Sequence, residues 1–175
     1  MTEATTTAFS ATEAALAEFV TVHYQRLFRL AMLVCRDPSD ASDAVQFGLE
    51  RAWKSRENLR QDSSMRSWLD RIVVNEAIRQ SRRRRSWISR FTSPHPEVTW
   101  IEPIDERGLP SSEWAALRSA FDKLPADQRA AIVLHMYAGY SIEETAKFVG
   151  APVETVRSRL RLAKERLRRE LGEKS

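Results

Sequence analysis

SIEETAKFVGAPVETVRSRLRLAKERLRR, residues 141–169, reads as two helices joined by a tight turn. Ser141 and Glu144 stand three apart at its start. That is the spacing of a capping box, in which the serine oxygen accepts the Glu144 amide and the carboxylate returns to the serine N–H. Gly150 supplies the conformational freedom that a helix end needs, and Pro152 pre-sets φ for a second helix. Along that second helix Val153, Val156, Leu160, Ala163, Leu167 and Leu171 recur at three- and four-residue steps, so one apolar stripe faces inward. Its other faces present Thr155, Arg157, Ser158, Arg159, Arg161, Lys164, Arg166, Arg168 and Arg169. Such a surface suits a DNA major groove, where arginines meet guanine edges and phosphates. The same pattern fits the solvated side of a helical bundle, and spacing alone leaves both readings open.

Upstream of this stretch the helical period continues. Trp114, Leu117, Phe121 and Leu124 share one face, and Pro125 opens a helix that carries Ile132, Val133, Met136 and Tyr137 to a turn at Gly139. Residues 87–110 are different in character, with several prolines, Gly108, no helical period and the acids Glu97, Glu102, Asp105 and Glu106. They read as a linker. Its 24 residues can extend to roughly 80 Å at about 3.3 Å per residue. An acidic linker beside a basic segment can also fold the free protein into a compact, self-screened state.

That basic segment is Arg79, Arg82, Arg83, Arg84, Arg85 and Arg90, in a window without an acid from Ala77 to Pro96. It continues a helix that opens near Ser64 and packs Trp68, Leu69, Ile72 and Val73. Before it, residues 58–67 read as a loop. The first residues, up to Ser10, are small and Thr-rich and read as a mobile tail, with Ser10 and Glu13 capping a long amphipathic helix. That helix presents Leu16, Phe19, Val20, Tyr24, Leu27, Leu30, Ala31 and Val34. Asp37 and Pro38 end it and start another, which buries Ala41, Ala44, Val45, Leu49, Ala52 and Trp53. Asp40, Asp43, Gln46, Glu50 and Arg51 form its exposed strip, which is either solvated surface or a docking face.

Composition narrows the possibilities. The chain has 175 residues, 42% apolar and 30% charged, which fits a soluble helical protein of one domain or two small ones. A net charge of +4 is modest, but the clustered arginines are what a polyanion would meet. The single cysteine, Cys35, excludes an internal disulfide and a multi-cysteine metal site, and a reducing cytoplasm is the expected compartment. The most apolar run, Leu27 to Cys35, contains Arg29 and is too short to span a bilayer, so no membrane association is expected. His23, His95 and His135 lie far apart, and the five glycines form no phosphate-cradling loop. Neither catalysis nor a metal or other cofactor is therefore expected.

With both halves read, the chain resembles the extracytoplasmic-function group of bacterial sigma factors, the small sigma-70 relatives that keep a promoter-melting domain and a helix-turn-helix domain. The first half matches through DPSDASDAVQ (residues 37–46), ERAW (50–53) and SWLDRIVVN (67–75) with its basic continuation. The second matches through LPADQRAAIVLHMYAGYSIEETAKFVGAPVETVRSRLRLAKERL (124–167), whose ordered LP, R, GYS, EETA, G and TVRSRL elements are the more specific. The expected fold is all-α. A first helical domain spans residues 10–86, a flexible linker 87–110, and a helix-turn-helix domain 111–172.

The resemblance implies roles for particular residues. Asp40, Asp43, Gln46 and Arg51 match the segment that docks on the clamp helices of core RNA polymerase. Trp68, the loop before it and Asn75 match the part that traps an unpaired base of the downstream promoter element. An amide and an aromatic surface can hold a flipped base as single-strand binders do, and Arg79, Arg82 and Arg83 would hold phosphates of the melting strand. Thr155, Arg157, Ser158, Arg159 and Arg161 match the face that reads the upstream element, and His135 falls where the family often places a basic DNA contact. The implied partners are core RNA polymerase, promoter DNA and an anti-sigma factor. Phe47, Gly48, Met65, Asp70 and Pro152 depart from the family pattern: Phe47 replaces a usual glutamate, and Met65 and Asp70 replace common aromatics. The rival expectations are a conventional helix-turn-helix regulator that binds duplex DNA as a dimer, and a helical adaptor whose basic faces bind acidic protein.

Overall fold

The computed structural model describes residues 3–56, 64–88 and 111–172. Seven helices make up the described chain: α1 (Glu3–Cys35), α2 (Pro38–Lys54), α3 (Met65–Ile88), α4 (Ser111–Asp122), α5 (Ala126–Ile132), α6 (Ile142–Val149) and α7 (Val153–Glu170). The all-α expectation holds, with no strand among the described residues. No described helix is long and apolar enough to cross a membrane.

Helix α1 starts earlier than its sequence suggests. Ser10 lies inside it rather than capping it. No proline or glycine interrupts residues 3–35, and once a packed segment has nucleated a helix, adding each further turn costs little. The junction to α2 follows the expected chemistry: Asp37 is the N-cap, its Oδ1 accepting the Asp40 amide at 3.0 Å, and Pro38 occupies the first turn. Arg36 closes α1 in a left-handed conformation with φ 69°, its amide donating to the Met32 carbonyl at 2.9 Å. For a non-glycine residue that conformation costs on the order of 1–2 kcal/mol. An ion pair from Arg36 to Asp122 and the Phe121 ring 6.0 Å below its guanidinium offset the cost.

Helices α1, α2 and α3 pack as one bundle around Leu27, Leu30, Val34, Val45, Leu69, Val73 and Val74, all of them buried. Trp53 was expected in this core but is 44% exposed, because the α2 face toward α3 is filled by Ala41, Ala44, Val45, Gly48 and Ala52. The small residues have a reason. At Gly48 the two helices approach so closely that an added Cβ would stand 3.1 Å from Val73 Cγ2 and 3.3 Å from Val73 Cα. The continuous helix expected from near Ser64 through the arginine run is present as α3, and it includes the first two residues assigned to the linker. The rest of that linker, residues 89–110, and residues 58–63 of the expected 58–67 loop lie outside the described residues, while residues 65–67 of that loop already belong to the first turn of α3.

The second half does not stand apart from the first. Ala130, Val133 and Leu134 are buried in the same apolar cluster as Leu30, Val34 and Val74. A smaller cluster of Ala131, Ala146, Val156 and Leu160 seats α6 and α7 on α5. After Ile132 the chain widens into one π-helical turn, Val133–Tyr137, closed by the Ala138 amide on the Val133 carbonyl at 2.8 Å. Widening a turn rotates the residues after it off the helical stripe. Met136 and Tyr137, expected on the apolar face, are accordingly 60% and 52% exposed.

Glycine inside a helix costs about 1 kcal/mol relative to alanine, yet Gly48→Ala should destabilise the protein. Forcing a methyl against the Val73 backbone costs typically about 1–3 kcal/mol, which exceeds the propensity gain. A lower urea midpoint with an unchanged slope is the expected result.

Candidate nucleic-acid interface

The helix-turn-helix is built as its sequence dictates. Ser141 Oγ accepts the Glu144 amide at 3.0 Å and Glu144 Oε2 accepts the Ser141 amide at 2.8 Å, so both halves of the capping box form. Those hydrogen bonds hold the Glu144 carboxyl below its ordinary value. Gly150 ends α6 at φ 63°, ψ 39°, the left-handed corner that turns the chain into α7. Pro152 stands at the α7 N-cap, without a side-chain cap. Val156, Leu160 and Ala163 bury the inner stripe of α7, leaving Arg157, Ser158 and Arg161 exposed on the opposite side.

The charges on that outer face are paired only locally. Arg157 Nη1 lies 2.6 Å from Glu154 and Nη2 lies 3.7 Å from Glu143, while Arg161 Nη1 lies 2.6 Å from Glu165. Exposed pairs of this kind contribute about 0.3–0.5 kcal/mol. A bidentate arginine contact to guanine gives about 1–3 kcal/mol of discrimination, so these guanidinium groups can change partners at little cost. Thr155 is half-buried near the start of the helix, and Arg159 points back toward Asp127, 3.9 Å away. His135 is half-buried with Nδ1 2.7 Å from the Tyr140 carbonyl. A carbonyl only accepts, so Nδ1 carries the proton and Nε2 is left for another contact.

On the first unit the expected sites divide. Asp43, Gln46, Phe47 and Glu50 point to solvent along one face of α2, with Phe47 42% exposed. Asp40 is less free than expected. Arg84 Nη1 lies 2.7 Å from Asp37 and 3.3 Å from Asp40, and burial pushes the Asp40 carboxyl up against the lowering pull of that arginine. Arg51 leans on the buried Glu76 at 3.4 Å, which Arg79 also meets at 2.7 Å. Within the arginine run, Arg83 is exposed and Arg82 pairs with Asp127 of α5 at 2.7 Å.

Asn75 and Trp68 are both half-buried on α3. The Asn75 amide is already engaged, Nδ2 donating to the Arg71 carbonyl at 2.9 Å and to the Phe148 carbonyl of α6 at 2.6 Å. Beside it lies a group that residue spacing did not bring together. Asp70, fully buried, accepts Arg26 Nη2 at 2.5 Å, Arg26 Nη1 at 2.8 Å and the Tyr140 hydroxyl at 2.8 Å. Burial first, and then the bond to Asp70, push the Tyr140 phenol above its ordinary value. The available signal was a carboxylate next to Leu69 on the inward face of α3, which needs a cation when buried.

Comparison with known proteins gives a consistent picture. The profile of Sigma-70 region 2 matches residues 19–87 and that of Sigma-70, region 4 matches residues 114–167. The chain is 37% identical over 150 residues to the ECF RNA polymerase sigma factor SigM of Mycobacterium tuberculosis, covering 86% of this chain and 74% of that protein. Among solved structures it is similar to the sigma factor RpoE of Bartonella quintana, crystallised with the anti-sigma factor NepR. The TM-score is 0.71 at 27% identity, over 91% of this chain and 98% of that one. It is also similar to CnrH in complex with the cytosolic domain of CnrY, with a TM-score of 0.63 at 26% identity, over 93% and 91% of the two chains.

Ser141→Ala removes the cap that orients α6 against α7 and should destabilise the protein by about 1 kcal/mol. The lowered Glu144 value means that its contribution is present at neutral pH and fades as pH falls through that value. Thermal melting should therefore give a gap between wild type and Glu144→Gln that is larger at neutral than at acidic pH.

Proposed function

We propose that this chain, which belongs to the extracytoplasmic-function sigma factors of the sigma-70 family, binds core RNA polymerase, recognises promoter DNA and helps open it for transcription initiation. The family is one of initiation factors and not of enzymes, and no catalytic step is assigned to any residue here. Residues 10–86 form the unit for polymerase docking and the downstream element, and residues 111–172 the unit for the upstream element, with residues 87–110 between them. The carrying observation is the exposed Arg157, Ser158 and Arg161 face of α7, opposite its buried stripe and held only by weak local pairs.

Thr155, Arg157, Ser158, Arg159 and Arg161 contact the upstream element, with His135 offering Nε2 beside them. Trp68 and Asn75 receive an unpaired base of the downstream element, while Arg79, Arg82 and Arg83 hold strand phosphates. Asp43 and Gln46, with Asp40 and Arg51 at the margin, form the polymerase-docking strip, and the exposed Phe47 adds an apolar contact to it. Solved relatives bound to NepR and to CnrY support an anti-sigma partner. The cytoplasm is the compartment in which such a factor meets core polymerase.

Footprinting tests the whole assignment. The protein alone should protect neither element, since its two units are packed on one another and the Asn75 amide is engaged by the Phe148 carbonyl, whereas adding core polymerase should protect both. Specific protection by the isolated chain as a dimer on a palindrome would favour a conventional regulator. Within the holoenzyme, Arg157→Ala should lose about 1–3 kcal/mol of discrimination at one upstream base pair, measured by competition between promoter variants. An equal loss on all sequences would reduce Arg157 to a phosphate contact.

A further inference from the structure

We infer that Glu154 is a second base-reading residue of α7, taking a cytosine of the upstream element beside the guanine that Arg157 takes. The inference rests on the assignment of α7 to that element. It starts from the groups around Arg157. Glu154 Oε1 lies 2.6 Å from its Nη1, and Glu143, in the first turn of α6, lies 3.7 Å from its Nη2. Two carboxylates around one guanidinium leave this end of the helix-turn-helix with a net negative charge, and all three side chains are exposed. Phosphates repel such a cluster, and an arginine serving only the DNA backbone would gain nothing from two acids at its side. The floor of the major groove is different, because base edges there offer donors as well as acceptors.

Arg157 can keep its tie to Glu154 and still read a base. A guanidinium has five N–H donors, and a carboxylate accepts at either oxygen. The tie runs from Nη1 to Oε1. Arg157 thus has donors left for O6 and N7 of a guanine, and Glu154 has Oε2 left for a donor. An ionised carboxylate has no hydrogen to give, so guanine O6 and N7 and thymine O4 are closed to it. Cytosine N4 and adenine N6 are the donors that remain. Adenine N6 stands beside the acceptor N7, whose lone pair repels an anion, whereas cytosine N4 has only a C–H on its open side. Cytosine is therefore the better partner. The spacing along α7 places it. Glu154 and Arg157 stand three apart at the start of the helix, both exposed and off the stripe of Val156, Leu160 and Ala163. The N-terminal residues of a recognition helix meet base edges, and residues three apart meet successive bases, as in zinc-finger helices. The cytosine accordingly belongs to the base pair next to the guanine of Arg157.

The test is selection by the holoenzyme, this chain with core polymerase, from promoter DNA randomised over the upstream element, with bound and unbound fractions sequenced. Wild type should enrich cytosine at one pair and guanine at its neighbour. Glu154→Ala should lower the cytosine preference about tenfold, the scale of a good base contact, and leave the guanine preference standing. Glu154→Gln should move the preference at that pair from cytosine to adenine, because a glutamine amide meets adenine N6 and N7 together. Both variants alter an exposed side chain and leave the buried stripe intact. A change in affinity that is equal on every sequence would put Glu154 at the DNA backbone and overturn the inference. So would a loss confined to the pair that Arg157→Ala affects, since Glu154 would then only position Arg157. A wild-type holoenzyme without preference at any upstream pair would overturn the assignment of α7 itself, and the inference with it. Wild-type preferences that Glu154→Ala leaves unaltered would overturn the role of Glu154 alone.

Discussion

The arrangement of the two halves depends on one buried cation. Arg129 of α5 donates Nε to the Val34 carbonyl at the end of α1, 2.8 Å away, and Nη2 to Ser81 Oγ of α3 at 3.0 Å. Its Nη1 donates to the Leu124 carbonyl at the turn from α4. A guanidinium with so little exposure would cost several kcal/mol if its donors were unmet. Its planar fork is what allows three separate acceptors to be met at once. Burial pushes the group down to about 10, with Cys35 and Asp122 opposing, so it stays charged at neutral pH. With α5 pinned to α1 and α3, the Leu134 and Val133 side chains reach the common core, and α6 is delivered onto α3.

Polar contacts in the molecule fall into two tiers. Those between the units draw largely on buried or half-buried groups, Arg129, the Arg26–Asp70–Tyr140 chain and Arg36 with Asp122, beside the more exposed pair of Arg82 with Asp127. Those on the outer face of α7 are exposed pairs within a turn or between neighbouring helices of the same unit. Buried contacts lose much when broken and so define a state, whereas exposed ones exchange readily with water or phosphate. The outer face of α7 is thus accessible, while the amide of Asn75 is engaged by the other half of its own chain. A single fold gives these two faces different availability.

The small residues of α2 play a comparable part in the first unit. Gly48 lets the α3 backbone come close, and α3 then carries Asp70 and, between one and two turns further on, the adjacent Asn75 and Glu76. Glu76, buried between Arg51 and Arg79, links the exposed face of α2 to the arginine run. Arg84 ties the far end of α3 back to the acids at the start of α2. The α2 face and the arginine run are therefore mounted on the same framework.

Local features were legible in the residues themselves. Ser141 with Glu144, Gly150 at the corner, Asp37 with Pro38 and the stripe of Val156, Leu160 and Ala163 each work within one or two turns of chain, where spacing sets geometry. The family resemblance followed from the same segments. The burial of Trp53, Met136 and Tyr137 was misjudged, since it depends on which face a neighbouring helix covers and on a widened turn that periodicity does not reveal. Asp70 could be singled out as unusual, but not paired: Arg26 and Tyr140 lie 44 and 70 residues away. Hydrophobic period and capping chemistry are short-range properties, and so sequence alone determined the helices, the turn and the outward face of α7. Which of those helices meet, and that Phe148 would meet Asn75, depends on contacts distant in the chain that form only when both units bury their surfaces together, and that was decided by the tertiary structure.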